Sequence, residues 1–127
     1  MTEIVKINGQ DMTMRASALL PRLYRYHFGR DALADMNKLR RAYEKAQQLP
    51  PDATEEQKED AQLDAMDLTI FENMAYLMLK QGGNPMPPTP DEWLDGIDGP
   101  FDIYQILPAV LRLWRINQGT TSTAKKK

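Results

Sequence analysis

The sequence predicts a mainly α-helical domain, a small bundle of about five helices that follows an N-terminal β-hairpin. Apolar residues recur every three or four positions over most of the chain after residue 20, which is the period of an amphipathic helix. Around residues 4–14 they alternate instead, on both sides of an Asn-Gly pair. The length of 127 residues fits one domain, and the sequence shows no internal repeat. We therefore predict a single domain over residues 1–117.

The hairpin is predicted over residues 1–15. Asn8-Gly9 is the preferred pair for a two-residue turn that needs positive φ at both central positions. Ile7 precedes the turn, and Met12 and Met14 alternate with polar residues after it. A two-stranded hairpin is only marginally stable alone, so we expect one of its faces to pack on the helices.

The first two helices are bounded by clear signals. Helix one is predicted over residues 21–28, with Pro21 in its first turn and Gly29 as its stop. Helix two is predicted over residues 31–48 and ends before a Pro-Pro pair. Its expected apolar stripe consists of Leu33, Met36, Leu39, Tyr43 and Ala46.

Three further helices are predicted in the second half of the chain. Thr54 and Gln57 form a capping box, and the helix that they open is expected to reach Gln81 without a break. Its acidic first half should project into solvent, and its apolar second half should be central to the core. A short helix should follow the Thr89 cap, and the last should span residues 101–117 with a kink at Pro108. Residues 118–127 are predicted to form a disordered basic tail.

Composition disfavours catalysis. The sequence has no cysteine, a single histidine (His27) and no glycine-rich phosphate loop, so we expect neither an enzyme nor a metal or cofactor site. It contains no run of about eighteen apolar residues that would span a membrane. The first residues lack the basic and apolar regions of a signal peptide. We therefore expect a cytoplasmic protein.

Charge is strongly polarised along the chain. Residues 1–49 carry +4, residues 50–99 carry −10 and residues 100–127 carry +4, which sum to the net −2. We expect the basic arginines to pair with the acidic middle segment. The alternative is a DNA-binding regulator that uses the basic helices at 21–48, with Arg22, Arg25, Arg40 and Arg41 on phosphates. A pI near 5.4 disfavours this alternative, so nucleic acid is an unlikely partner.

The C-terminal helix is the candidate protein-binding element. Apolar residues occupy almost every side of it, and a domain this small is not expected to surround a helix completely. We predict that its second apolar face binds a protein partner, with Tyr104, Leu107, Leu111 and Trp114 as anchors. Met74 and Met78 would suit an adaptable binding groove, although methionines at this spacing are more often core.

Several motifs together resemble one protein family. In chain order they are Ile7-Asn8-Gly9, Pro21-Arg22-Leu23-Tyr24-Arg25, Phe28-Gly29-Arg30-Asp31, Phe71-Glu72-Asn73-Met74-Ala75-Tyr76, Pro90-Asp91-Glu92-Trp93-Leu94-Asp95, Ile103-Tyr104-Gln105-Ile106-Leu107-Pro108 and Leu113-Trp114. With this order and spacing, residues 4–117 resemble the tail assembly chaperones of long-tailed phages and prophages of Gram-positive bacteria, which are similar to the gene G product of phage lambda. The loop at Gly82-Gly83-Asn84 departs from the family pattern.

The resemblance implies a non-enzymatic function in the host cytoplasm. Members of this family coat the phage tape-measure protein, keep it soluble, recruit tail tube protein and are absent from the mature virion. In many members a ribosomal frameshift adds a tube-binding extension to a minority of molecules, and the three lysines at 125–127 are compatible with a slippery adenine run. A structural head–tail joining protein is a further alternative, and a homo-oligomer stays open.

Overall fold

The computed structural model describes the backbone of residues 2–126 and the side chains of residues 2–115. Within this part of the chain, a hairpin and six helices follow one another. The elements are β1 (Thr2–Ile7), β2 (Gln10–Arg15), α1 (Leu20–Phe28), α2 (Ala32–Gln47), α3 (Glu55–Asp60), α4 (Ala65–Gln81), α5 (Pro90–Asp95) and α6 (Ile103–Lys126). The predicted fold class, mainly helical with an N-terminal hairpin, is confirmed, but the described helices number six instead of five.

The hairpin has the predicted turn. Strands β1 and β2 pair antiparallel, with Ile7 opposite Gln10 across the two turn residues. Asn8 and Gly9 have φ values of 55° and 77°, the left-handed conformation that this turn requires. The loop before α6 holds the turn in place, because the Gly99 N–H donates to Asn8 Oδ1 at 2.7 Å and the Asn8 N–H donates to the Pro100 carbonyl at 2.8 Å.

Helices α1 and α2 have nearly the predicted bounds. Gly29 ends α1 with a φ of 65°, and its N–H donates to the Arg25 carbonyl. Asp31 caps α2, because its carboxylate accepts a hydrogen bond from the Leu33 N–H at 3.0 Å. Only three residues, Gly29, Arg30 and Asp31, lie between the two helices, and this short connection is the corner between α1 and α2.

The predicted single helix from Thr54 to Gln81 is wrong, because two helices occupy this segment. Asp64 begins the second helix with its own capping box: its carboxylate accepts from the Asp67 N–H at 2.7 Å, and Asp67 accepts from the Asp64 N–H at 3.0 Å. The acidic α3 has no buried residue, whereas α4 has nine. The expected division into a solvent-exposed half and a core half is therefore confirmed.

Helix α4 forms the centre of the core. It packs against β2, α1, α2, α5 and α6. Its end approaches the hairpin so closely that a Cβ on Gly82 would lie 2.0 Å from the Thr13 carbonyl oxygen. Next to it, Asn84 Nδ2 donates to the carbonyls of Thr13 and Leu79 at 2.7 and 2.8 Å. The Gly82-Gly83-Asn84 loop thus joins α4 to the hairpin.

Helix α6 differs from the prediction at both ends. It begins at Ile103, where the Asp102 carboxylate accepts from the Tyr104 N–H at 3.0 Å, and it includes Pro108. The helix ends at Lys126, beyond the predicted end at 117. The predicted basic tail at 118–127 falls outside the residues whose side chains are described, and its disorder stays a prediction. None of the described helices is long and apolar enough to cross a bilayer.

Candidate functional site: a groove between α2 and α6

Three of the six predicted partner-binding residues lie in the core. Met74, Met78 and Leu107 have no exposed surface. The prediction that Leu107 lies on an exposed face is therefore wrong. Met74 and Met78 are core residues, which is the commoner role of methionines at this spacing. The physical reason is that α6 is covered from two sides, by α4 and by β1, so the small domain encloses more of this helix than expected.

The other three predicted residues are divided. Leu111 is half-buried and Trp114 is 6% exposed, and both line an open groove on the surface. Tyr104 is 61% exposed but does not line the groove. The structure therefore brings Leu111 and Trp114 together and leaves Tyr104 apart from them.

The groove lies between α2 and α6 and has a volume of about 660 Å³. Both helices pack against α4, and their outward sides form the two walls. The α2 wall consists of Leu33, Asn37, Arg40, Tyr43 and Glu44, and the α6 wall consists of Pro108, Leu111, Arg112, Trp114 and Arg115. On each wall these residues recur with helical spacing, so each wall is one continuous helix face.

A second hollow of about 500 Å³ extends the groove toward α1. It shares Leu33 and Trp114 with the first, so the two form one continuous surface. Its other lining residues come from α1 and from the corner between α1 and α2: Pro21, Arg25, Gly29, Arg30, Asp31 and Ala32. We call the combined surface the α2–α6 groove.

The corner between α1 and α2 is held by the buried carboxylate of Asp35. Its Oδ2 accepts from Tyr24 Oη and from Arg30 Nε, both at 2.7 Å, and its Oδ1 accepts from Arg30 Nη2 at 2.9 Å. The Arg30 guanidinium, assisted by the Tyr24 hydroxyl, lowers the pKa of Asp35 although burial opposes this. Burial, with the Asp35 carboxylate beside it, raises the pKa of the Tyr24 hydroxyl. A charged Asp35 thus fixes one end of the groove.

The α6 wall is tied to the hairpin by a second bidentate pair. Arg112 Nε and Nη2 donate to the Glu3 carboxylate at 2.7 and 2.6 Å. The hydrogen bond from Arg112 lowers the pKa of Glu3 and raises that of Arg112. On the α2 wall, Arg40 pairs with Glu44 one turn along the same helix.

The expected pairing of the basic segment with the acidic middle segment is found only for Lys38 within the described residues. Its ammonium group donates to Asp64 and Asp67 at the start of α4. Arg30 and Arg40 pair instead with acids of their own segment, so the prediction is wrong for them. The reason is local geometry: Arg40 and Glu44 lie one turn apart on α2, and Arg30 lies just before α2, within reach of Asp35 in its first turn.

Two arginines in the groove lining have no carboxylate partner in the described part of the chain. Among residues 2–115, no carboxylate oxygen lies within 4.0 Å of the guanidinium nitrogens of Arg25 or Arg115. Arg25 lies on the α1 side and Arg115 on the α6 wall, and Trp114 lines the groove in both parts. The groove therefore combines an apolar floor, formed by Leu33, Tyr43, Pro108, Leu111 and Trp114, with two guanidinium groups that have no carboxylate partner among residues 2–115.

Sequence reasoning missed the α2 half of this site. Leu33 and Tyr43 belong to the predicted apolar stripe of α2, but Leu33 is 50% exposed and Tyr43 is half-buried. A period of 3.6 residues shows that a helix has an apolar face, yet it does not show which residue at the edge of that face stays open.

The described side chains of residues 2–115 include no group of three or more His, Asp or Glu placed to hold a metal ion. Comparisons of the chain with protein-family models, with curated proteins and with solved structures found no match.

Proposed function

We propose that this protein is a phage tail assembly chaperone. In the host bacterial cytoplasm it binds the tape-measure protein, keeps that long helical chain soluble and helps to recruit tail tube subunits, and it is absent from the mature virion. Two things support the proposal: the ordered motifs over residues 4–117 and an open helix-lined groove. The groove is the observation that carries the binding role.

The groove leaves apolar side chains accessible among polar ones from both helices. Leu33 is half exposed, and Leu111 and Trp114 lie beside it in the lining. Covering such surface with the apolar stripe of another helix removes it from water at about 25 cal/mol per Å². Grooves between helices bind amphipathic helices in this manner.

Co-expression with the adjacent tape-measure gene tests the proposal. We expect the wild-type chain to raise the soluble fraction of the tape-measure protein and to form a complex that survives size-exclusion chromatography. Leu33→Gln should weaken that complex about tenfold, because roughly half of a leucine side chain remains to be buried. Leu19→Gln is the matched control, since Leu19 is also 50% exposed but lies outside the groove lining.

Failure of the wild-type chain to solubilise or retain the tape-measure protein would overturn the proposed function. Equal weakening by the Leu19 and Leu33 substitutions would remove the groove from it. Mass spectrometry of purified virions distinguishes the proposed chaperone from a head–tail joining protein, because only the joining protein must be present in the finished particle.

The DNA-binding alternative has one observation in its favour, because Arg22, Arg25 and Arg41 are exposed on the helices at 21–48. Arg30 and Arg40 weaken it, since each already pairs with a carboxylate. A gel shift at low salt, repeated at rising salt, decides this point.

A further inference from the structure

The backbone of the groove walls indicates which conformation a partner must have. The walls are the sides of α2 and α6, whose interior N–H and C=O groups pair within each helix except at Pro108, which has no N–H to donate. An extended partner would lay its own backbone groups over an apolar floor with nothing to pair with, which is costly. A helical partner satisfies its backbone internally and presents only side chains.

The length of the groove fits a short helix. From Leu33 to Glu44 the α2 wall spans twelve residues, and the eleven steps between them give about 16 Å at 1.5 Å per residue. This length accepts about three turns of a partner helix. The floor that these turns meet is formed by Leu33, Tyr43, Pro108, Leu111 and Trp114.

The charges around the floor indicate the sign of the partner. Five arginines line the groove (Arg25, Arg30, Arg40, Arg112 and Arg115) against two acids (Asp31 and Glu44). Arg30, Arg40 and Arg112 are neutralised by Asp35, Glu44 and Glu3. Arg25 and Arg115 remain against Asp31, whose carboxylate caps α2, so the lining keeps a net positive charge, and carboxylates on a partner would complete pairs that the described residues leave open.

A nucleic acid fits this surface less well than an acidic helix. A phosphate backbone gains little from an apolar floor, whereas the aliphatic stripe of an amphipathic helix is buried on it. The two guanidinium groups also belong to different helices, Arg25 to α1 and Arg115 to α6, and each lines a different part of the groove.

We propose that the α2–α6 groove binds an acidic amphipathic helix of another protein, with aliphatic residues on the floor and Asp or Glu side chains on Arg25 and Arg115. The proposal rests on the proposed function in one respect, that the natural source of this helix is the tape-measure protein.

Two synthetic peptides test the charge preference directly with the full-length chain. Both carry the same leucine stripe over about 18 residues, or five turns. Glutamates flank the stripe in one peptide, and lysines flank it in the other. Fluorescence anisotropy at low salt should show that the glutamate peptide binds about tenfold more tightly, since two exposed ion pairs each contribute severalfold. The preference should fall as salt screens the pairs.

Matched variants assign the preference to the two arginines. The double substitution Arg25→Gln with Arg115→Gln should reduce it to less than about threefold, because the charges are lost while both side chains stay polar. Arg22→Gln with Arg41→Gln is the control. Arg22 lies on α1, as Arg25 does, and Arg41 lies on α2; both are exposed, but neither lines the groove. The control variant should keep the preference.

Several results would overturn the proposal. They are binding of neither peptide, equal binding of both, or loss of the preference in the control variant to the same extent. A DNA duplex that displaces the glutamate peptide, and that itself no longer binds the Arg25/Arg115 variant, would make the groove a nucleic-acid surface and overturn it too.

Co-expression with the tape-measure gene separates this inference from the proposed function. If the Arg25/Arg115 variant retains the tape-measure protein as well as wild type, the function stands and the charge assignment fails. If wild type prefers the glutamate peptide but does not retain the tape-measure protein, the charge assignment stands and the function fails.

Discussion

Replacement of Asp35 by asparagine tests how the corner between α1 and α2 is held. Asp35 is 5% exposed and accepts three hydrogen bonds, one from Tyr24 and two from Arg30. Asparagine has almost the same shape, but it carries no charge and its amide nitrogen cannot accept a hydrogen bond. The substitution therefore removes charge and acceptors while it leaves the packing volume unchanged.

The expected loss in the free energy of unfolding is about 2 kcal/mol at neutral pH. A hydrogen bond to a charged group contributes about 1.5–3 kcal/mol. The Arg30 side chain is 44% exposed, so solvent screens its two bonds and they contribute less than this. The bond from buried Tyr24 is not screened in this way, but the amide oxygen of the new side chain can still accept it.

The loss should depend on pH with a defined sign. Because Arg30 and Tyr24 hold the pKa of Asp35 below its ordinary value, the charged carboxylate stabilises the fold above the unfolded pKa of about 3.9. That contribution disappears as the pH falls through the lower pKa of the folded state. The asparagine variant has no such group, so its difference from wild type should shrink in acid.

Urea unfolding followed by circular dichroism, at neutral pH and at about pH 2.5, measures both effects. Asp11→Asn is the control, because the Lys6–Asp11 pair is exposed and its removal should change stability by less than about 0.5 kcal/mol. If Asp35→Asn is as harmless as this control, or if its effect is equally large in acid, Asp35 does not hold the corner as a charged acceptor.

Two further substitutions test the attachment of α4 to its neighbours. Gly82→Ala should destabilise the fold by about 1–3 kcal/mol in urea unfolding, since its Cβ would lie 2.0 Å from the Thr13 carbonyl oxygen. Gly96→Ala is the control, because no atom lies closer than 3.6 Å to its Cβ, and it should change stability by less than about 0.5 kcal/mol. Similar losses for both variants would contradict the close approach. Lys38→Met should cost about 1–2 kcal/mol by leaving the buried Asp67 carboxylate without its cation, and an unchanged urea midpoint would show that the pair contributes nothing.

The parts of the fold that depend on neighbouring residues could be predicted from the sequence. Asn8-Gly9 requires left-handed backbone that few other residue pairs adopt, so the hairpin and its register followed from two residues. Gly29 and Thr89 act in the same local manner, since each completes hydrogen bonds at the end of its own helix.

The break before α4 depends on equally local chemistry, but the sequence pattern did not reveal it. The capping box is usually sought as Ser or Thr followed by Glu or Gln, and here Asp64 and Asp67 form the same reciprocal bonds. No glycine or proline lies between Asp60 and Asp64 to mark the break. An acidic run read as one solvated helix face therefore concealed a helix start.

The groove could not be predicted, because it belongs to two helices that are distant in the sequence. Leu111 and Trp114 were named from the apolar character of α6, but their counterparts on α2 depend on how both helices lie on α4. Leu107 shows the converse: it follows the same helical spacing as Leu111, yet β1 and α4 cover that part of α6. Periodicity defines faces, and only packing decides which face stays open.

The arginines of the groove form two kinds of contact, and added salt should weaken one kind more than the other. Arg30 and Arg112 form bidentate pairs with the buried carboxylate of Asp35 and the partly buried carboxylate of Glu3, and these pairs fix the walls. Arg25 and Arg115 have no such partner among the described residues, so their contacts with a ligand form in water and are strongly screened. Moderate salt should therefore weaken an acidic partner before it loosens the groove. Acid should act differently, because it protonates the carboxylates of the wall pairs and of the partner alike.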